Sequence, residues 1–275
     1  MRLSFYTFSY TDKQKMSIAD CLARIAKTGY AGIDESSTFG NAINSDSVTA
    51  ERRREIRAAV EKNKLRVEAV ITHADLTATI AENKPLDLNA SIDLAADLQS
   101  PVVTFHLGGP QDGFSEKELW NKTVQVIKSA ADYGASKHVG LAIDLGVWPP
   151  WIVNTYDQLA KLFNDVGSPN FGVNFDPSYL SITGADPVRF VKRFGNRIMH
   201  VHLKDNVGEY PNWEHKIPGK GELNYVPIIE ALESAKFKGA LAVECFVEMK
   251  FEEACDDGYA AMAAAFKKAG ARLEK

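Results

Sequence analysis

Acidic residues and histidines stand at the ends of most of the short β-branched or aromatic runs in this chain. Asp34 and Glu35 close GYAGIDE at residues 29–35, His73 follows the third run, and His106 ends the fourth. Asp144 ends LAID, Asp176 follows VNF, His200 and His202 stand in HVHLKD just before Lys204 and Asp205, and Glu244 ends ALAVE. Four consecutive runs therefore supply Asp144, Asp176, His202 and Glu244, three carboxylates and one imidazole. This hard, mainly oxygen donor set suits a divalent ion, with Mn²⁺ the first expectation and Mg²⁺, Co²⁺ or Zn²⁺ also compatible. A cation is needed there, because carboxylates in close proximity raise one another's pKa and work against folding.

For residues so far apart in sequence to meet, their strands must converge. The runs Leu3–Phe8, Ala31–Glu35, Arg66–Ile71, Val102–Leu107, Gly140–Leu145, Phe171–Phe175, Ile198–Leu203 and Ala240–Phe246 are mostly followed by segments of helical period. That alternation is the signature of a parallel sheet with crossover helices, and the count of eight predicts a (β/α)8 TIM barrel, an α/β fold occupying residues 1–275 as one domain. In such a barrel all C-terminal strand ends share one face, so polar residues from different strands are brought together. Ser17, Thr49 and Asp186 are placed to cap helix starts, with Pro187 in a first turn, and Gly29 to end the first helix. An open doubly wound sheet would carry a glycine-rich turn after its first strand, and residues 7–15, TFSYTDKQK, have no glycine. The segment from Asp205 to Glu222 is rich in Gly and Pro and follows the seventh strand, where a lid or binding loop is expected.

The bulk properties narrow the partners. With 32 Lys and Arg against 36 Asp and Glu, the net charge of −4 gives no general attraction to nucleic acid or to an anionic membrane. No apolar run approaches the roughly 18 residues that span a bilayer, and the N-terminus lacks a signal-peptide pattern, so the expected location is cytoplasmic and the expected partner a small soluble molecule. The three cysteines, Cys21, Cys245 and Cys255, are scattered and read as buried thiols.

GYAGIDE, FHLGG at 105–109, LAID, VNFDPSY at 173–179, HVHLKD, PGKGELNYVPII at 218–229 and FKGALAVECF at 237–246 together resemble the xylose-isomerase-like barrel family of sugar isomerases and epimerases, which includes ketose 3-epimerases, inosose dehydratases and hydroxypyruvate isomerases. The resemblance extends over essentially the whole chain, and HVHLKD followed by PGKGEL is its most specific part. It implies a metal held by Asp144, Asp176, His202 and Glu244, with Asp144 and Glu244 also acting as acid and base on opposite substrate faces. Chelation of a carbonyl and a neighbouring hydroxyl then stabilises an enediolate. Isomerisation, epimerisation and loss of a β-oxygen all start from that species. Two positions depart from the family's usual pattern: Asp144 replaces Glu, and Tyr179 stands where His is frequent. Dimers or tetramers are a further implication of the resemblance.

His106, His73, Tyr179, Lys204 and Asp205 are the expected substrate contacts, and Trp148 with Trp151 can wall a sugar ring. Each has a structural alternative, such as a loop hydrogen bond, a salt bridge or core packing. His200 reads as a buried neighbour of His202, Glu35 as a secondary candidate, and Asp34 with the run Glu51–Arg57 as solvated surface. Three rival functions remain. A lyase or dehydratase acting on a keto-sugar or inosose would share the site, and a non-catalytic sugar-binding barrel would retain the pocket without turnover. An abasic-site endonuclease needs more histidine ligands than this sequence supplies.

Overall fold

The computed structural model describes residues 1–37, 48–83, 88–145, 151–246 and 248–274. Its strands are β1 (Arg2–Tyr6), β2 (Gly32–Ser36), β3 (Arg66–Asp75), β4 (Val102–His106), β5 (Gly140–Asp144), β6 (Phe171–Phe175), β7 (Ile198–Leu203), β8 (Asp205–Glu209), β9 (Asn212–Lys216) and β10 (Ala240–Val243). The helices are α1 (Ile18–Thr28), α2 (Ala50–Asn63), α3 (Leu76–Ala81), α4 (Leu88–Asp97), α5 (Glu116–Ser136), α6 (Tyr156–Val166), α7 (Pro177–Ile182), α8 (Pro187–Phe194), α9 (Tyr225–Ser234) and α10 (Phe251–Lys268). Strands β1 to β7 and β10 close into a barrel in the order β1-β10-β7-β6-β5-β4-β3-β2, and each neighbouring pair is parallel. This is the expected (β/α)8 architecture.

Burial explains the layering. The main core packs strand residues such as Leu3, Ile33, Val70, Phe105, Leu141, Val173, Val201 and Leu241 with helix residues such as Leu22, Ile25, Ile92, Ile127 and Leu162. A second buried cluster, Tyr6, Phe8, Ala69, Ile71, Val102 and Ala142, is separate from it. Alternation along each strand sends one set of side chains outward to the helices and the other inward. Helix starts follow local chemistry. Thr49 accepts from the amide of Arg52, Asp186 accepts from that of Val188 ahead of Pro187, and Ser115 with Glu118 forms a capping box. Ser17 precedes α1 as expected, but its side chain makes no cap hydrogen bond.

Two regions differ from the sequence reading. The segment after β7 is an ordered antiparallel hairpin, β8 with β9, whose tip is tied down by the amide of Tyr210 donating to the carbonyl of Ile182 at the end of α7. Helices α3 and α7, each six residues long, were not expected. α7 arises from the sequence DPS: Asp176 caps it and Pro177 occupies its first turn.

Candidate active site

At the barrel's centre, Asp34 is fully buried rather than at the solvated surface, which corrects the sequence reading. Its Oδ1 accepts from the Ser4 hydroxyl at 3.1 Å, and its Oδ2 lies 2.6 Å from His200 Nε2 and 3.4 Å from His202 Nε2. His200 and His202 are two residues apart on β7, so alternation sends both rings inward to the same carboxylate. Burial works against the charge on Asp34, but the two imidazoles outweigh it and hold this carboxyl below its usual range. Tyr6 stacks on the His202 ring with centroids 6.0 Å apart.

The other nitrogen of His202 faces the expected acids. Nδ1 is 2.9 Å from Glu244 Oε2 and 3.5 Å from Asp144 Oδ2. Register accounts for this meeting: Ala242 pairs with His202, placing Glu244 just beyond it, while Asp144 is in register with His106 on one side and Asn174 on the other. Asn174 Nδ2 donates to Asp144 Oδ2 at 3.2 Å, a contact with no counterpart in the sequence reading. Asp176 divides its carboxylate. Oδ1 caps α7 through the amide and hydroxyl of Ser178, at 2.8 and 2.7 Å, and Oδ2 lies 2.6 Å from Lys204 Nζ. Lys204 is fully buried and also donates to Glu244 Oε2.

The cluster's charges depend on one another. Burial alone would neutralise Lys204, but Asp176 and Glu244 override it and hold the ammonium well above its ordinary pKa. Burial likewise opposes ionisation of Glu244, yet Lys204 and His202 keep it well below the usual carboxylate range. For Asp176 burial prevails over Lys204 and raises the pKa.

The remaining expected residues separate. His106 ends β4, with Trp151 edge-on at 6.2 Å and His73 at 6.4 Å. His73 hydrogen-bonds Tyr6 Oη, and burial, reinforced by His106, lowers its pKa to about 4. The Tyr179 ring lies 4.2 Å from Lys204 Nζ and edge-on to His215 of the hairpin at 5.9 Å. Asp205 is not brought into the cluster. Its Oδ1 accepts from the amides of Asn206 and Leu223 at 2.9 and 3.0 Å, and its Oδ2 from that of Gly219 at 2.9 Å, so it organises the hairpin's base. Glu35 is buried, accepting from the Thr7 hydroxyl at 2.8 Å. Trp148 lies outside the described residues.

The donor set fits a divalent ion. Asp144 Oδ1 is buried without a hydrogen-bond partner, and both His202 nitrogens lie at ion-pair distance from carboxylates without hydrogen-bond alignment. Among the described residues, the one tight group of His, Cys, Asp or Glu donor atoms, all within 4.8 Å of one another, is Asp34, His200 and His202. That group is better read as a support. Asp34 already serves Ser4 and His200 and is sealed from solvent, whereas Glu244, on the Nδ1 side of His202, remains partly exposed. With Asp34 Oδ2 3.4 Å from Nε2, a metal held by His202 would sit on the Nδ1 side, where the other acids lie.

Comparisons with known proteins identify the chain's relatives. The chain is 28 % identical over 169 residues to an uncharacterized protein of Methanocaldococcus jannaschii, spanning about half (54 %) of that protein's length. It is 21 % identical over 258 residues to an inosose dehydratase of Geobacillus thermodenitrificans, covering 84 % of this chain and 82 % of that one. It is 26 % identical over 97 residues to a D-psicose 3-epimerase of Enterocloster bolteae, covering 35 % of this chain and 30 % of that one. The crystal structure of IOLI protein with a binding zinc atom superposes with a TM-score of 0.80 at 17 % identity, over 98 % of this chain and 99 % of the other. The family model described as xylose isomerase-like TIM barrel matches residues 22–268, and the chain belongs to that family.

Proposed function

We propose that this protein is a divalent-metal-dependent sugar isomerase or epimerase, acting on a ketose or related polyol by proton abstraction beside a carbonyl. The observation that carries the reading is His202: Asp34 stands behind Nε2, while Nδ1 faces Glu244 at 2.9 Å and Asp144 at 3.5 Å. Asp144, Asp176, His202 and Glu244 would hold the ion, with Mn²⁺ the favoured candidate. When bound, it would polarise a carbonyl and the adjacent hydroxyl, making the intervening C–H acidic.

Glu244 is the accessible carboxylate of the set and is kept anionic by Lys204 and His202, so it is the base that takes the proton at a carboxylate oxygen. Asp144, steadied by Asn174, is the partner that handles a proton on the other substrate face. Lys204 directs an ammonium at the same space and can bind a substrate oxygen, and His106, His73 and Tyr179 orient hydroxyls around it. Glu244→Gln removes the charge and the base with little change in volume. We expect it to lower solvent deuterium exchange into a responsive ketose at least tenfold with an unchanged circular dichroism spectrum; exchange within a few-fold of wild type would contradict the assignment.

Dehydration is the second reading. It is favoured by the buried Lys204 ammonium beside the base, a fixed positive charge that would stabilise the negative charge developing on a departing hydroxyl, and by the 84 % chain coverage against an inosose dehydratase. Appearance of an unsaturated ketone by its ultraviolet absorbance would select it over isomerisation.

A further inference from the structure

A cavity of about 200 Å³ adjoins the acid cluster, between the end of β6 and helices α6, α7 and α8. It shares Asp176, Tyr179 and Trp151 with the candidate active site. Those three are in contact with the reacting region: Asp176 pairs with Lys204, the Tyr179 ring lies beneath the same ammonium, and Trp151 meets the edge of His106. The cavity therefore borders the proposed reaction centre.

Its chemistry is unlike that of a polyol site. Leu145, Tyr156, Leu159, Phe175, Leu180 and Phe190 supply the walls, and Asp176 is the only charged group lining it among the described residues. Several of the polar side chains at its rim are already engaged. Asn154 Nδ2 donates to the carbonyl of Trp151, Thr155 Oγ1 caps α6 by accepting from Gln158, and Thr183 Oγ1 donates to the carbonyls of Tyr179 and Leu180. Tyr156 Oη donates to the carbonyl of Asp186. A hydroxyl placed against those apolar walls would lose hydration without gaining a partner, at a cost of about 1–3 kcal/mol. An apolar ring gains instead, since a cavity of roughly 150 Å³ lined by Leu, Ile and Phe is known to accept benzene. The walls are themselves aromatic, with Phe175 stacked on Phe190 at 5.2 Å and Tyr156 edge-on to Phe190 at 5.5 Å.

We infer that the substrate carries an apolar substituent the size of an aryl ring, which occupies this cavity while its oxygens face Lys204 and the acids. This deepens the proposed function and rests on it: the substrate class becomes a keto-sugar or cyclitol bearing an aromatic group, such as an aryl keto-glycoside.

The test uses the full-length protein and 4-fluorobenzyl alcohol as probe, followed by fluorine NMR without metal, with Mg²⁺ and with Mn²⁺. Saturable binding in all three conditions is expected, with marked paramagnetic broadening in Mn²⁺ because the cavity borders Asp176. Leu180→Trp, which places an indole in the cavity, should weaken binding at least tenfold. Leu159→Phe, a smaller intrusion, should weaken it less and guards against a folding defect in the first variant. Absence of saturable binding, or binding that Leu180→Trp leaves intact, overturns the proposal. So does sharp fluorine signal in protein that demonstrably holds Mn²⁺. Protein that binds the probe but takes up no Mn²⁺ contradicts the metal assignment and this extension of it, whereas protein that holds Mn²⁺ but ignores the probe contradicts the cavity alone.

Discussion

Lys204 sets the electrostatics of the candidate site, because its ammonium is paired with two of the four expected metal ligands, Asp176 and Glu244. An added divalent ion competes with that ammonium for the same carboxylates. Lys204→Met should therefore bind Mn²⁺ at least tenfold more tightly, about 1.4 kcal/mol, and melt earlier when stripped of metal, because buried acids lose their counter-charge. Titration by electron paramagnetic resonance with parallel melting curves checks both; unchanged affinity would mean that Lys204 does not compete for those carboxylates. Asp34→Asn tests the support behind His202 and should weaken metal binding about 10–100-fold, the usual cost of losing an outer carboxylate partner. The four proposed ligands were legible as polar ends of consecutive strands. Asp34 was not, since a charged residue near a strand end reads as surface unless strand alternation is followed inward to His200 and Ser4. Asn174 was missed for a related reason: a neutral amide gives no signal until its register partner Asp144 is known.

At the scale of elements, the hairpin β8–β9 decides what surrounds the cluster. His215 from β9 reaches Tyr179 and Phe246, and Asp205 holds the hairpin's base through three backbone amides. Asp205→Ala leaves those amides without their acceptor and should cost about 2–4 kcal/mol of stability, read by urea unfolding, with faster tryptic cleavage at Lys216 or Lys220. If stability is unchanged while substrate affinity falls, Asp205 is a ligand contact after all. The eight barrel strands were readable from β-branched runs, two of them, β6 and β7, with the predicted limits. The hairpin was hidden because Gly, Pro and Asn in GEYPN mark a loop while its strands are short and mostly polar. α7 was hidden because six residues are too few to display a helical period.

Across the whole molecule, barrel closure turns distant sequence positions into one site and buries several titratable groups that must remain neutral. Burial lowers the pKa of His73 and of His215 from the ordinary histidine value of 6.5 to about 4. The folded state binds fewer protons than the unfolded one across that interval, so their contribution is complete above about pH 6.5 and is lost as pH falls towards 4. For His73 the loss is roughly 2 kcal/mol, allowing for its partial exposure. Urea midpoints measured from pH 7 to 4.5 should therefore fall, and His73→Gln, which cannot titrate, should flatten the curve; an unaltered slope would mean that His73 does not govern it. The barrel and the family were legible because both rest on repeated patterns of strand and motif. The aromatic cavity beside Asp176 was not, as it is assembled by three helices whose packing no single segment announces.

The most direct test of the central claim combines elemental analysis of the purified protein with deuterium exchange in D₂O, with Mn²⁺ added, across ketoses, ketose phosphates, inososes and keto-glycosides. The account predicts one divalent ion per chain and exchange into a carbon beside the carbonyl of at least one substrate class, abolished by Glu244→Gln. Absence of both metal uptake and exchange, across every substrate class tested, would contradict it.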